Sequence, residues 1–227
     1  MTIIDIPTVT LDLYKDIHKG IRAELFAVTT SVGQTDPSDA VARLAVAAHV
    51  RDVYQLLEEH AEHEDGAIQP LLEVHLPQLA EQVAVDHASF DRRGASLVDL
   101  AGAAAEATGG EERRLLHLLY LDLGSFVSSY LAHQDLEERE LMPALERAVG
   151  VDAVVGVHQQ ILAAIPPDVM ARTLALMLPA MNLDDRAEML GGMRAEAPAE
   201  VFEGVWGLAG SVLEPCDLAT LATRLGL

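Results

Sequence analysis

Apolar residues recur every three to four positions through most of the first 148 residues, the period of helices that bury one face. Leu11, Ile17, Ile21, Leu25 and Val28 make the first such stripe, and Thr10 is placed to cap a helix that runs to about Ser31. Gln34-Thr-Asp-Pro-Ser38 reads as a turn in which Asp36 is the N-cap and Pro37 opens a second helix reaching about Pro70. Pro77 begins a third helix, which fades in the Ala-rich stretch before Gly109-Gly110. Glu111 and Glu112, well placed for the helix dipole, open a fourth that reaches about Arg147. Four long helices with short joints predict an all-α fold, an antiparallel up-down-up-down four-helix bundle.

From Gly150 the pattern changes to short apolar stretches cut by Pro166-Pro167, Pro179, Gly191-Gly192, Pro198 and Pro215. Four or five short helices are expected there, with Asp184 and Pro198 as start signals. The predicted organisation is therefore a bundle over residues 1–149 and a C-terminal helical extension over 150–227. That extension is too apolar for a disordered tail, so it is expected to pack on the bundle or on a second subunit.

Composition narrows the chemistry. Among 227 residues, 50% are hydrophobic and only 4% aromatic, as in helical bundles. Asp and Glu outnumber Lys and Arg by 36 to 15, a formal charge of −21, which repels nucleic-acid phosphates and anionic membranes. Met1-Thr-Ile-Ile-Asp5 lacks the basic flank and cleavage site of a signal peptide, and no run of about 18 uncharged apolar residues occurs. The expectation is a cytoplasmic protein, monomeric or homodimeric. Cys216 is the only cysteine, so a disulfide framework or a Cys-based cluster is excluded, and any metal must be held by His and carboxylate.

Such a set is present twice. His60-Ala-Glu-His-Glu64 runs on to Pro70, and His133-Gln-Asp-Leu-Glu137 runs on to Pro143. In each, a His and a Glu stand four residues apart, which on a helix puts imidazole and carboxylate on one face, about 6 Å apart. His18 on the first helix and His87 on the third fall within about one turn of the levels of His60 and His133, given a rise of about 1.5 Å per residue. The first His precedes its His-x-x-x-Glu by 42 residues in one half and 46 in the other, which suggests internal duplication. Two metals, each bound by two His and bridged by Glu64 and Glu137, fit this arrangement. Carboxylate oxygens combined with imidazole suit iron, or manganese, better than calcium or a structural zinc.

The order His, His-x-x-x-Glu, His, His-x-x-x-Glu, with the phrases His63-Glu-Asp-Gly-Ala-Ile-Gln-Pro70 and Glu137-Glu-Arg-Glu-Leu-Met-Pro143, resembles the hemerythrin or HHE cation-binding family over roughly residues 10–148. The resemblance implies a four-helix bundle around an oxo- or hydroxo-bridged di-iron centre, with His18, His60, Glu64, His87, His133 and Glu137 as ligands. It implies dioxygen, hydrogen peroxide or nitric oxide as the reacting partner; the C-terminal extension, which a minimal bundle does not need, suggests as the alternative a small organic metabolite oxidised in a pocket that the extension forms. The oxygen-carrying members place a second His one turn from the third-helix ligand, where this chain has Val83 and Asp91. Two six-coordinate irons offer about twelve positions, and this ligand set with one bridging oxygen fills about ten. A second opening favours reactivity over reversible carriage.

Three further residues carry alternatives. Tyr14 and Tyr130 stand close to His18 and His133 in the helix and read either as phenolate ligands or proton donors, or as packed aromatics. Asp91 reads as a ligand, as an acceptor orienting a ligand, or as a surface carboxylate.

Overall fold

Short polar side chains and prolines set the helix starts, and at two of them long-range or local hydrogen bonds displace the start the sequence suggests. In the computed structural model, which describes residues 8–227, α1 is Lys15–Gln34 and does not begin at Thr10. Thr10 instead donates its N–H and hydroxyl to the Glu146 carboxylate at 2.8 and 3.2 Å. α2 is Ala40–Ala67, capped by Asp39, which accepts from the Ala42 N–H at 3.0 Å. Asp36, the expected cap, closes a local turn by accepting from the N–H and hydroxyl of Ser38, both at 2.8 Å. Met1-Thr-Ile-Ile-Asp5, read above for a leader, lies outside the described residues.

Pro70 opens a short helix, α3, Gln69–His75, and Pro77 opens α4, Pro77–Glu106, as expected. α5, Glu111–Leu136, continues through a π-helical turn, Glu137–Leu141, into α6, Met142–Val149. Then follow α7 Val151–Ala164, α8 Pro167–Ala180, α9 Leu183–Glu196, α10 Ala199–Val212 and α11 Pro215–Leu225. The described residues form an all-helical fold. Gly191-Gly192 does not break a helix: α9 runs through both, because Asn182 caps it through the Asp184 and Asp185 N–H groups and Leu190 is fully buried, which offsets a cost of about 1 kcal/mol per glycine. By length and composition alone the helical run Glu111–Val149 is apolar enough to cross a membrane. Here its stripe of Leu116, Leu119, Leu123 and Phe126 is buried core.

The chain forms two compact units. The first comprises residues up to Tyr14 and Glu24–Ala164; the second comprises Lys15–Ala23 and Ile165–Leu227. In the first, α4 packs between α2 and α5. Leu25 and Val28 of α1, Val53 and Leu57 of α2, Leu97 of α4 and Phe126 of α5 converge in one apolar layer. A second apolar layer joins Ile68, Leu72, Val83, Leu141 and Leu145. On α2, His60 and Glu64 fall between Leu57 and Ile68; on α5, His133 lies between Phe126 and the π-helical turn, which Glu137 opens and Leu141 closes. The polar residues are thus held between two dry layers.

The second unit is built on Leu178, Leu190, Phe202, Ala209 and Leu221. Within it Asp185 accepts from Lys15 at 2.9 Å and from Lys19 and Asn182, with Asp16 and Glu188 also near the two lysines. Burial alone would raise the Asp185 carboxyl, yet Lys19 and Lys15 hold it below the usual range. A depressed carboxylate contributes stability above its unfolded pKa, about 3.9, and the contribution is lost as pH falls through the lower folded value. Asp185→Asn should therefore lower the thermal midpoint at pH 7, and the gap to wild type should narrow as pH falls below the unfolded value of about 3.9. Melts followed by circular dichroism between pH 7 and 2.5 measure this; a gap of constant size would refute the linkage.

Candidate metal centre

The two sequence copies fold differently at their prolines. After Glu64, α2 stops and Pro70 starts a new helix, whereas after His133 the helix stays continuous by widening into the π turn, where the Met142 N–H bonds the Glu137 carbonyl. Pro143 has no N–H to close an α turn on Arg139, and the wider turn accommodates that loss.

The resulting cluster is dense. His60 Nε2 lies 3.0 Å from Glu64 Oε1, His87 Nε2 3.4 Å from Glu64 Oε2, and His133 Nε2 3.2 Å from Glu137 Oε1. His87 Nε2 and His133 Nε2 are 3.2 Å apart. One ligand atom from each of Glu64, His87, His133 and Glu137 lies within 4.8 Å of the others, so these four could hold a metal ion. Glu137 is fully buried, and Glu64 and His133 nearly so.

Carboxylates behind the rings orient them. His87 Nδ1 is 2.9 Å from Asp65 and His133 Nδ1 3.3 Å from Asp86. A carboxylate accepts only, so with a metal bound each Nδ1 would keep its proton directed at the aspartate and leave Nε2 free to turn a lone pair to the ion. Metal–nitrogen bonds of about 2.1 Å at a right angle separate two such nitrogens by about 3 Å, close to the spacing observed here. In the metal-free chain a proton supplies the positive charge instead. Burial opposes it, but Asp65 and Glu64 push His87 up to about 10, and Glu64 lifts His60 in the same way. Although burial pulls Glu64 the other way, His60 and His87 hold its carboxyl well below the usual range. Metal uptake would displace these protons.

His18 is fully buried on α1, on the face it shares with Tyr14, Ile21 and Leu25, and belongs to the segment Lys15–Ala23. Tyr14 and Tyr130 are buried, and burial followed by the charges of Glu64 and Glu137 raises both phenols well above their ordinary value. In the metal-free chain both phenols stay protonated at neutral pH. Asp91 is not brought into the cluster: it is exposed and accepts from the Tyr54 hydroxyl at 2.8 Å. Gly94 lets that happen, since a Cβ there would overlap the Tyr54 ring. His49 pairs with Glu24 at 3.2 Å.

Two residues escape the sequence reading. Asp86 stands beside His87 in sequence but serves His133 across the helix interface, a relation no local spacing signals. Gln134 is fully buried with neither end of its amide hydrogen-bonded among the described residues. Its signal was a polar residue at an inward position, one after His133. Asp86→Asn should weaken metal binding about 10- to 100-fold by releasing the His133 ring. Competition with a chelator measures it, and a change under about threefold would count against the orienting role.

Beside His87, α2, α3, α4 and α5 enclose a pocket of about 460 Å3 that also reaches Tyr130. Its lining residues all belong to the first of the two units.

An all-helical chain with a buried cluster of imidazoles and carboxylates is a candidate cation-binding helical protein. The model of the hemerythrin HHE cation binding domain matches residues 9–145, and the chain belongs to that family. Comparisons with curated proteins and with solved structures return no match.

Proposed function

We propose that the chain is a non-haem di-iron protein, built on an antiparallel four-helix bundle, that reacts with dioxygen, hydrogen peroxide or nitric oxide. His60, Glu64, His87, His133 and Glu137 would supply ligands to the irons, and His18 is the sixth ligand that the sequence motif offers. The observation that carries this reading is the pair of Nε2 atoms of His87 and His133, 3.2 Å apart beside two buried carboxylates. Bound iron would supply redox equivalents and open positions for a small diatomic or peroxide.

The remaining roles belong to the chain. Asp65 and Asp86 fix the rings. Tyr14 and Tyr130 keep their phenolic protons close to the carboxylates. The apolar layers on either side exclude water from the cluster. Oxygen carriers have a further His one turn from this ligand; of the two residues at that spacing from His87, Val83 is buried and offers no ligand, and Asp91 is engaged by Tyr54. Both favour turnover over carriage. A second reading, oxidation of a small metabolite, is favoured by the pocket at His87.

Elemental analysis of protein grown with iron, combined with consumption of dioxygen, peroxide and nitric oxide, tests the proposal. Two irons per chain and fast loss of one of these molecules are expected. Manganese in their place would revise the metal. Zinc, or no metal, would overturn the reading.

A further inference from the structure

The pocket beside His87 has a specific chemical character. Its floor is apolar, with Leu57, Phe90 and Phe126 buried beneath it. Its rim carries Glu58, Glu62, Asp65, Glu73 and Asp91, all exposed, and no Lys or Arg lines it. Asp65 is engaged by His87 and Asp91 by Tyr54, whereas Glu62 and Glu73 have no partner among the described residues. Two inner polar groups also await one. Tyr130 lines the inner wall at 4% exposure, and its hydroxyl makes no hydrogen bond to a described residue. Gln69 donates to the Ala80 carbonyl at 3.0 Å, but its Oε1 is buried and receives nothing.

We propose that this pocket binds a small organic cation, an amine or guanidine on a short apolar chain. Glu62 and Glu73 attract the charged head, while the chain lies against Phe90 and Phe126. The far end of the chain reaches the inner wall at Tyr130 and His87, where a polar atom on that end would meet the Tyr130 hydroxyl. An inorganic cation would satisfy the rim but gain nothing from the aromatic floor; an apolar neutral molecule would gain nothing from the rim. The combination selects a molecule with both parts. This assignment names the substrate class of the proposed metal centre and rests on that reading only for its contact with the metal, because the binding itself uses the chain's own side chains.

Calorimetric titration of the full chain, metal-free and iron-loaded, with butylammonium, hexylammonium, 1-hexanol and hexanoate tests it. Each buried methylene tightens binding about fourfold, so hexylammonium, with two more, should bind about 16-fold tighter than butylammonium. It should also exceed hexanol at least about fivefold and lose that advantage in the Glu62→Gln, Glu73→Gln double variant, with hexanoate not binding. Equal binding of ammonium and alcohol, no dependence on chain length, or no saturable binding would overturn the proposal. So would Mn2+ binding at the rim that the double variant abolishes while the alkylammonium ions bind without chain-length dependence. Selective ammonium binding by a chain that takes up no iron would leave this pocket standing and remove the di-iron reading. Two irons without ammonium selectivity would do the reverse.

Discussion

Glu137→Ala should retain the helix content of the wild-type chain and hold at most one iron. The carboxylate is fully buried, opens the π turn and lies 3.2 Å from His133 Nε2. As a proposed ligand it would neutralise charge on bound metal, so its loss would remove a donor and leave buried positive charge uncompensated. Glu137→Gln keeps the volume and deletes only the charge, and it should lose metal as well. Elemental analysis and competition with a chelator read the effect, expected to exceed 100-fold in affinity for at least one ion. Retention of two irons by either variant would break the ligand assignment. Loss of metal in the Ala variant alone would mean that shape and not charge is what Glu137 supplies.

Arg43→Leu should be the most destabilising change outside the metal cluster, by about 3–5 kcal/mol. Arg43 is a buried arginine near the start of α2, and its guanidinium closes the far end of α4. Nε donates to the Ala104 carbonyl at 3.1 Å, Nη2 to Ala105 and Ala107 at 3.3 and 3.1 Å, and Nη1 to Pro37. Those of Ala104, Ala105 and Ala107 are the last carbonyls of α4 and its C-cap, which the helix cannot satisfy itself. Leucine fills the space but leaves them buried without donors, each at a cost of about 1–3 kcal/mol. Urea unfolding of the full chain, followed by circular dichroism, measures it. A loss below about 1 kcal/mol would show that water replaces the guanidinium.

The first expectation follows already from the spacing of His133 and Glu137; the second could not be formed from the sequence. Arg43 is an unremarkable basic residue in a helix pattern, and its role follows only from the meeting of the α2 start with the α4 end. Thr10 makes the same point in reverse, since a good cap signal lost to Glu146, 136 residues away. Asp91 was read as a candidate near the metals because it lies one turn from His87, but the rotation of α4 points it at Tyr54 instead. The Gly191-Gly192 break failed because tertiary burial of Leu190 outweighs a local propensity.

What the sequence determined by itself is what local periodicity controls. Helices over the apolar stripes, the starts at Pro77 and Glu111, and the closeness of His60 to Glu64 and of His133 to Glu137 all follow from a turn of 3.6 residues. So does the family, because its motif is a spacing within helices. The tertiary structure decided the rest: that His87 meets His133, that Asp65 and Asp86 stand behind those rings, that one copy of the repeat breaks at its proline while the other widens into a π turn, and that an acid-rimmed apolar pocket opens beside His87. Those relations depend on how each helix is rotated against its neighbours, and that rotation is set by the sum of many side-chain contacts from distant parts of the chain.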